Sequence, residues 1–95
     1  MPEVLIEKLR KAHVLAANYR GGYSKRFFGA EEFAKALGNT IKRLEAGDET
    51  ALDDVFLWFL PTSDWDDLVG KEGSELANEI LDILETYRRI SDKIK

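Results

Sequence analysis

A chain of 95 residues, 44% hydrophobic and 34% charged, is sized and balanced for one globular domain, residues 1–95, with a modest core. It has no cysteine, which excludes disulfides and thiolate metal sites, and its longest apolar run, residues 55–60, is far too short to cross a membrane. The net charge of −4 is unevenly distributed: residues 1–44 carry nine Lys/Arg against four Asp/Glu, whereas residues 45–67 carry eight acids and no base.

The first helix is expected from residue 2 or 3 to residue 18. Leu5, Leu9, Ala12 and Ala16 make one apolar stripe at helical spacing, with Ile6 and Val14 beside it. Pro2 suits the first turn, and Gly21 and Gly22 follow the end. The segment 19–28, YRGGYSKRFF, reads as a loop. A second helix spans about 30–46, with Phe33, Leu37, Ile41 and Leu44 on one face and Gly47 as its left-handed cap. Gly38 inside that helix costs roughly 1 kcal/mol relative to alanine, which points to a neighbour passing close to it.

A third helix begins near residue 48 or 50, where Thr50 to Asp53 matches a capping pattern, and Pro61 limits it near residue 60. Its second half is apolar all round, as in a helix that is central to the core or covered by something else. A short helical turn over 64–69 follows, capped by Ser63 or Asp64 and stopped at Gly70. The last helix is capped by Ser74 and carries the stripe Leu76, Ile80, Ile83, Tyr87, Ile90 and Ile94, widened by Leu81 and Leu84. Its acids lie early and its bases late, as the helix dipole favours, and Glu85 with Arg89 forms an i,i+4 pair. The expected fold class is all-α, a compact bundle of four main helices plus one short helical turn.

Catalysis finds little to work with. His13 is the single histidine, sits mid-helix and is distant in sequence from every serine, so no nucleophile, base and orienting group come together. No Gly-rich phosphate loop is present, and a calcium loop starting at Asp64 fails where it needs an oxygen ligand and a glycine, at Leu68 and Val69. The chain reads as a non-enzyme without cofactor, metal or membrane span. With no signal peptide ahead of the first helix, the cytoplasm is the expected location.

Two segments point to binding. Asp48, Glu49, Asp53, Asp54, Asp64, Asp66 and Asp67, with Trp65 embedded among them, form a candidate partner surface. Trp65 is either a lid over the end of the bundle, its indole N–H on a freed carbonyl, or an exposed anchor for a basic partner. In the lid arrangement Asp66 or Asp67 caps or pairs with Arg26, while Trp58 belongs to the core. The loop 19–28 interleaves Arg20, Lys25 and Arg26 with Tyr19, Tyr23, Phe27 and Phe28, a pattern that can bind single-stranded nucleic acid. The acidity of the whole chain argues against that use. The structural alternative has Phe27 and Phe28 plugging the bundle while the bases neutralise the acidic block.

The segment LWFLPTSDWDDLVGKEGSELANEI, residues 57–80, resembles a recurring pattern in short bacterial proteins: an aromatic helix ending in proline, a W-D-D turn, a glycine and a final helix. Some such small acidic helical proteins are immunity proteins of toxin systems. The resemblance covers about a quarter of the chain and implies a protective binding protein, with Trp65, Asp66 and Asp67 at the pattern's distinctive positions and no catalytic residues. The expected function is an immunity- or inhibitor-type protein that covers a basic toxin or nuclease through an acidic, Trp-containing surface. The alternatives are a homodimeric interaction module built on the apolar helix 55–60 and a nucleic-acid binder using the loop 19–28.

Overall fold

The computed structural model describes the backbone of residues 3–94 and the side chains of residues 3–87. The helices are α1 (Glu3–Ala16), α2 (Ala30–Glu45), α3 (Ala51–Phe59), α4 (Asp64–Leu68) and α5 (Ser74–Ile94), with a 3₁₀ turn at Gly70–Gly73 between the last two. No strand occurs among the described residues. α1 packs against α2 and α5, and α3 packs against the same two, so four helices surround one core and α4 closes its end.

The apolar stripes face inward. α1 buries Leu5, Ile6, Leu9, Ala12 and Ala16, whereas Val14 lies on the far side, 65% exposed. α2 buries Phe33, Leu37, Ile41 and Leu44, and its end follows the expected left-handed stop. Gly47 has φ 94°, its N–H donates to the Leu44 carbonyl at 3.0 Å, and the Asp48 N–H reaches the Arg43 carbonyl at 2.9 Å. These paired bonds satisfy carbonyls that the helix end would otherwise leave bare. They also place Asp48 where its carboxylate accepts the Thr50 N–H at 3.1 Å, so Asp48, rather than Thr50, caps the start of α3. Thr50 is itself helical and its side chain caps nothing.

The apolar run of α3 is mostly interior: Val55, Trp58 and Phe59 are buried, Phe56 and Leu60 half-buried, and Leu57 is 40% exposed. α5 buries Ala77, Ile80 and Leu84, with Leu76, Leu81, Ile83 and Tyr87 packed at the edges. Ser74 is already helical and its N–H donates to the Lys71 carbonyl, so the 3₁₀ turn runs directly into α5 without a serine cap. The expected Glu85–Arg89 pair and the stripe positions Ile90 and Ile94 lie outside the described side chains, as does Pro2.

At the centre is an aromatic cluster. Phe27, Phe33 and Trp58 meet edge to face with ring centres 5.3–5.7 Å apart. Trp65 completes it against Phe59 at 4.8 Å and Phe33 at 6.0 Å. Each such pair adds about 0.5–1.5 kcal/mol beyond the burial of its rings. Trp65 is 0% exposed, which overturns its expectation as an exposed anchor and realises the lid arrangement. Its indole N–H donates to the Gly73 carbonyl at 3.0 Å. Gly73 is there for space: a Cβ at that position would lie 2.5 Å from Trp65 Cζ2 and 2.7 Å from Nε1. Gly73→Ala is therefore expected to destabilise the fold by about 3 kcal/mol, the upper end of overpacking costs. Urea unfolding followed by Trp fluorescence measures this, and a variant as stable as the parent would show that the ring is not seated against residue 73.

Candidate functional site

Asp64 opens α4, with Ser63 extended before it at φ −100° and ψ −160°. Successive helical residues point about 100° apart, so Asp64 and Trp65 leave the same turn in different directions. While Trp65 enters the core, the Asp64 carboxylate, also 0% exposed, turns to the loop between α1 and α2. It accepts the Ser24 hydroxyl at 2.5 Å, the Arg26 backbone N–H at 3.2 Å and the Arg26 guanidinium at 2.7 Å. Ser24 also accepts the Phe27 N–H on its hydroxyl at 3.2 Å, and the Ser24 N–H donates to the Phe27 carbonyl at 2.8 Å. Residues 24–27 thus form a tight turn over one buried carboxylate. Burial pushes the Asp64 pKa up, but the bonds from Ser24 and Arg26 and the guanidinium charge outweigh it, holding the carboxyl below its ordinary range.

The other end of the loop is pinned as firmly. Gly21 and Gly22 take φ 73° and 74°, a left-handed backbone that favours glycine. The Gly21 N–H donates to Glu31 at 2.7 Å, and its carbonyl accepts the Ala30 N–H at 2.9 Å. The Arg20 guanidinium donates to the Ala17 and Tyr19 carbonyls, and the Tyr19 hydroxyl donates to Glu72. Between these anchors Phe27 points inward and Phe28 outward, 90% exposed, with Tyr23 79% exposed. The expectation that both phenylalanines plug the bundle holds for Phe27 and fails for Phe28. The turn over residues 24–27 carries Phe27 to the core and leaves Phe28 beyond it, in solvent.

The acids proposed as a partner surface serve several separate contacts within the chain. Asp64 and Trp65 are buried and drop out of it. Asp48 and Asp54 flank Arg43, at 3.0 and 3.5 Å, and Glu49 accepts the Tyr87 hydroxyl. Asp66 accepts the Thr62 N–H at 2.6 Å, which supports the positive φ of 63° at Thr62. The expected partner of Arg26 was Asp66 or Asp67; Asp64 takes it instead. Asp53 is engaged within the chain, and Asp67 is exposed. Among the described residues no group of three or more His or acidic side chains is placed to hold a metal ion, and no helix is long and apolar enough to cross a membrane.

Comparison with known proteins returns no similar family, curated protein or solved structure. The candidate site centres on the Phe28 loop.

Because the folded Asp64 carboxyl titrates below its unfolded value of about 3.9, its stabilisation is complete above that pH and lost as pH falls toward the folded pKa. Asp64→Ala should cost about 3 kcal/mol at neutral pH, at the lower end for a broken buried pair because the Arg26 side chain is still 40% exposed. Its stability should also change less than the parent's below about pH 4, in urea melts run across that range. An equally steep acid limb in the variant would move the titrating group elsewhere.

Proposed function

We propose that the protein is a non-enzymatic binding protein of inhibitor type that engages a protein partner through the loop 19–28, with Phe28 as the anchor and Tyr23 as a second contact. The observation that carries this is a phenylalanine 90% exposed on a loop pinned at both ends. An aromatic ring held out on a fixed backbone loses little conformational entropy on binding, which is the property of an interface hot spot. The partner chemistry that suits it is an apolar pocket.

The same geometry weakens the alternatives. Of the loop's bases, Arg26 serves Asp64 and Arg20 serves the end of α1, leaving Lys25 to meet phosphate. Nucleic-acid binding relies on several cations neutralising phosphates at once. A homodimer through residues 55–60 would have Phe56, Leu57 and Leu60 to offer, since Val55, Trp58 and Phe59 are buried. The acids keep a role at longer range: a net charge of −4 speeds encounter with a basic partner, as an immunity-type protein requires.

Phe28→Ser and Tyr23→Ser are expected to unfold within about 0.5 kcal/mol of the parent, as exposed substitutions do. Phe28→Ser should weaken binding to a partner captured by the parent protein from its native extract by about 30-fold, a hot-spot loss of about 2 kcal/mol. Partner binding that survives Phe28→Ser unchanged, measured on a biosensor, would remove the loop from the interface.

A further inference from the structure

Along the seam of α1 and α2 runs an open groove of about 340 Å³. Its walls are Arg10 and His13 from α1 and Lys35, Asn39, Lys42 and Glu45 from α2. Lys35, Asn39 and Lys42 step by four and three residues and so share one face of α2, as Arg10 and His13 do on α1. Three cations meet one carboxylate there, and that carboxylate, Glu45, is taken by Arg10. Lys35 and Lys42 have no ion-pair partner among the described residues. In a chain of net charge −4 the groove therefore carries a local excess of positive charge, since Glu45 is the one carboxylate among its lining residues and is paired with Arg10.

Gly38 adds an independent observation. Its φ is not positive, so no backbone conformation requires glycine there, and mid-helix glycine costs about 1 kcal/mol relative to alanine. What glycine provides is room: a Cβ at residue 38 would lie 3.1 Å from His13 Nε2 and 3.5 Å from Cε1. The imidazole is thereby seated on the backbone of α2, in the groove between the cations. A smooth helix–helix contact would be served better by alanine at 38 and an aliphatic residue at 13.

We propose that this groove is an anion site for the phosphoryl group of a small phosphorylated molecule. Lys35 and Lys42 supply the charge, and the Asn39 amide and the His13 ring supply directed N–H donors, with Arg10 held at the edge by Glu45. Two unpaired ammonium groups match a phosphate dianion, and charge-assisted N–H···O bonds are the strong ones in such recognition. The volume lies at the low end of the range for ligand pockets, about 300–1,000 Å³, and suits one phosphate ester. The site is separate from the Phe28 loop and does not depend on it.

The test titrates the full chain with inorganic phosphate and with a nucleoside monophosphate at about 10 mM salt, where the screening length is about 30 Å. The expected result is saturable NMR shifts at the Gly38 and Asn39 amides and the His13 ring. Lys35→Gln/Lys42→Gln, at partly or fully exposed positions, should keep the fold and lose at least about tenfold in affinity, the worth of one or two charged hydrogen bonds. Gly38→Ala, whose Cβ displaces the imidazole, should lower affinity as well. Lys25→Gln/Lys71→Gln, with the same charge change elsewhere, should bind as the parent does. Tighter binding of the nucleoside monophosphate shows that the groove also holds the organic part; equal binding shows that it reads the phosphoryl group alone. The proposal is overturned if neither anion gives saturable shifts at Gly38 and Asn39. It is equally overturned if Lys35→Gln/Lys42→Gln binds no more weakly than the Lys25→Gln/Lys71→Gln control.

Discussion

Two wholly buried side chains of opposite character leave α4 side by side, Asp64 and Trp65. Seating the Trp65 ring on Phe33 and Phe59 draws α4 down onto the bundle, and its neighbour Asp64 goes down with it. A carboxylate taken out of water without partners is too costly to keep, so something must come to meet it. What comes is the turn of residues 24–27, through the Ser24 hydroxyl and both the backbone and the guanidinium of Arg26. That turn in turn directs Phe27 inward to Phe33 and Trp58, and Phe28 outward. The aromatic core, the buried acid and the exposed ring are therefore one coupled arrangement.

Charge along this chain is resolved locally. The acidic stretch looks like a single patch when written out, but in three dimensions it is divided among separate tasks. Asp48 caps α3 and meets Arg43, Asp66 steadies the turn after Pro61, and Asp64 organises a loop. The basic excess of residues 1–44 is divided too: Arg20, Arg26 and Arg43 are committed to neighbours, while Lys35 and Lys42 flank the α1–α2 groove. The molecule thus has an aromatic loop and a cationic groove as distinct features, and neither coincides with the acidic block. A protein partner gripping the loop and a small anion in the groove would occupy different faces of function, one apolar and one electrostatic.

Much of the fold was legible from periodicity alone. The stripes of α1 and α2, the glycine stop at Gly47 and the brief α4 before Gly70 all follow from local rules, and the helices begin and end within a few residues of where those rules put them. Gly38 signalled a close neighbour, and the neighbour is His13. α3 starts within a few residues of the expected 48 or 50, but the side chain that caps it differs: Thr50 matches a capping pattern, whereas the geometry of the preceding Gly47 turn hands the cap to Asp48. The candidate site was less legible. Both phenylalanines of "RFF" read as core plugs, and that Phe27 alone is buried depends on where Asp64 holds the turn.

The sequence by itself determined that the chain is helical, where its helices fall, and that Trp58 belongs inside, because these follow from spacing and capping between residues close along the chain. Only the tertiary structure decided that Trp65 is core, that Asp64 belongs to the loop 24–26, and that Phe28 faces solvent. Those outcomes rest on contacts between residues far apart in sequence, Asp64 with Ser24 and Arg26 and Trp65 with Phe33. A row of aspartates around a tryptophan is compatible with either burial or exposure, and the choice depends on whether distant donors arrive to pair the carboxylate.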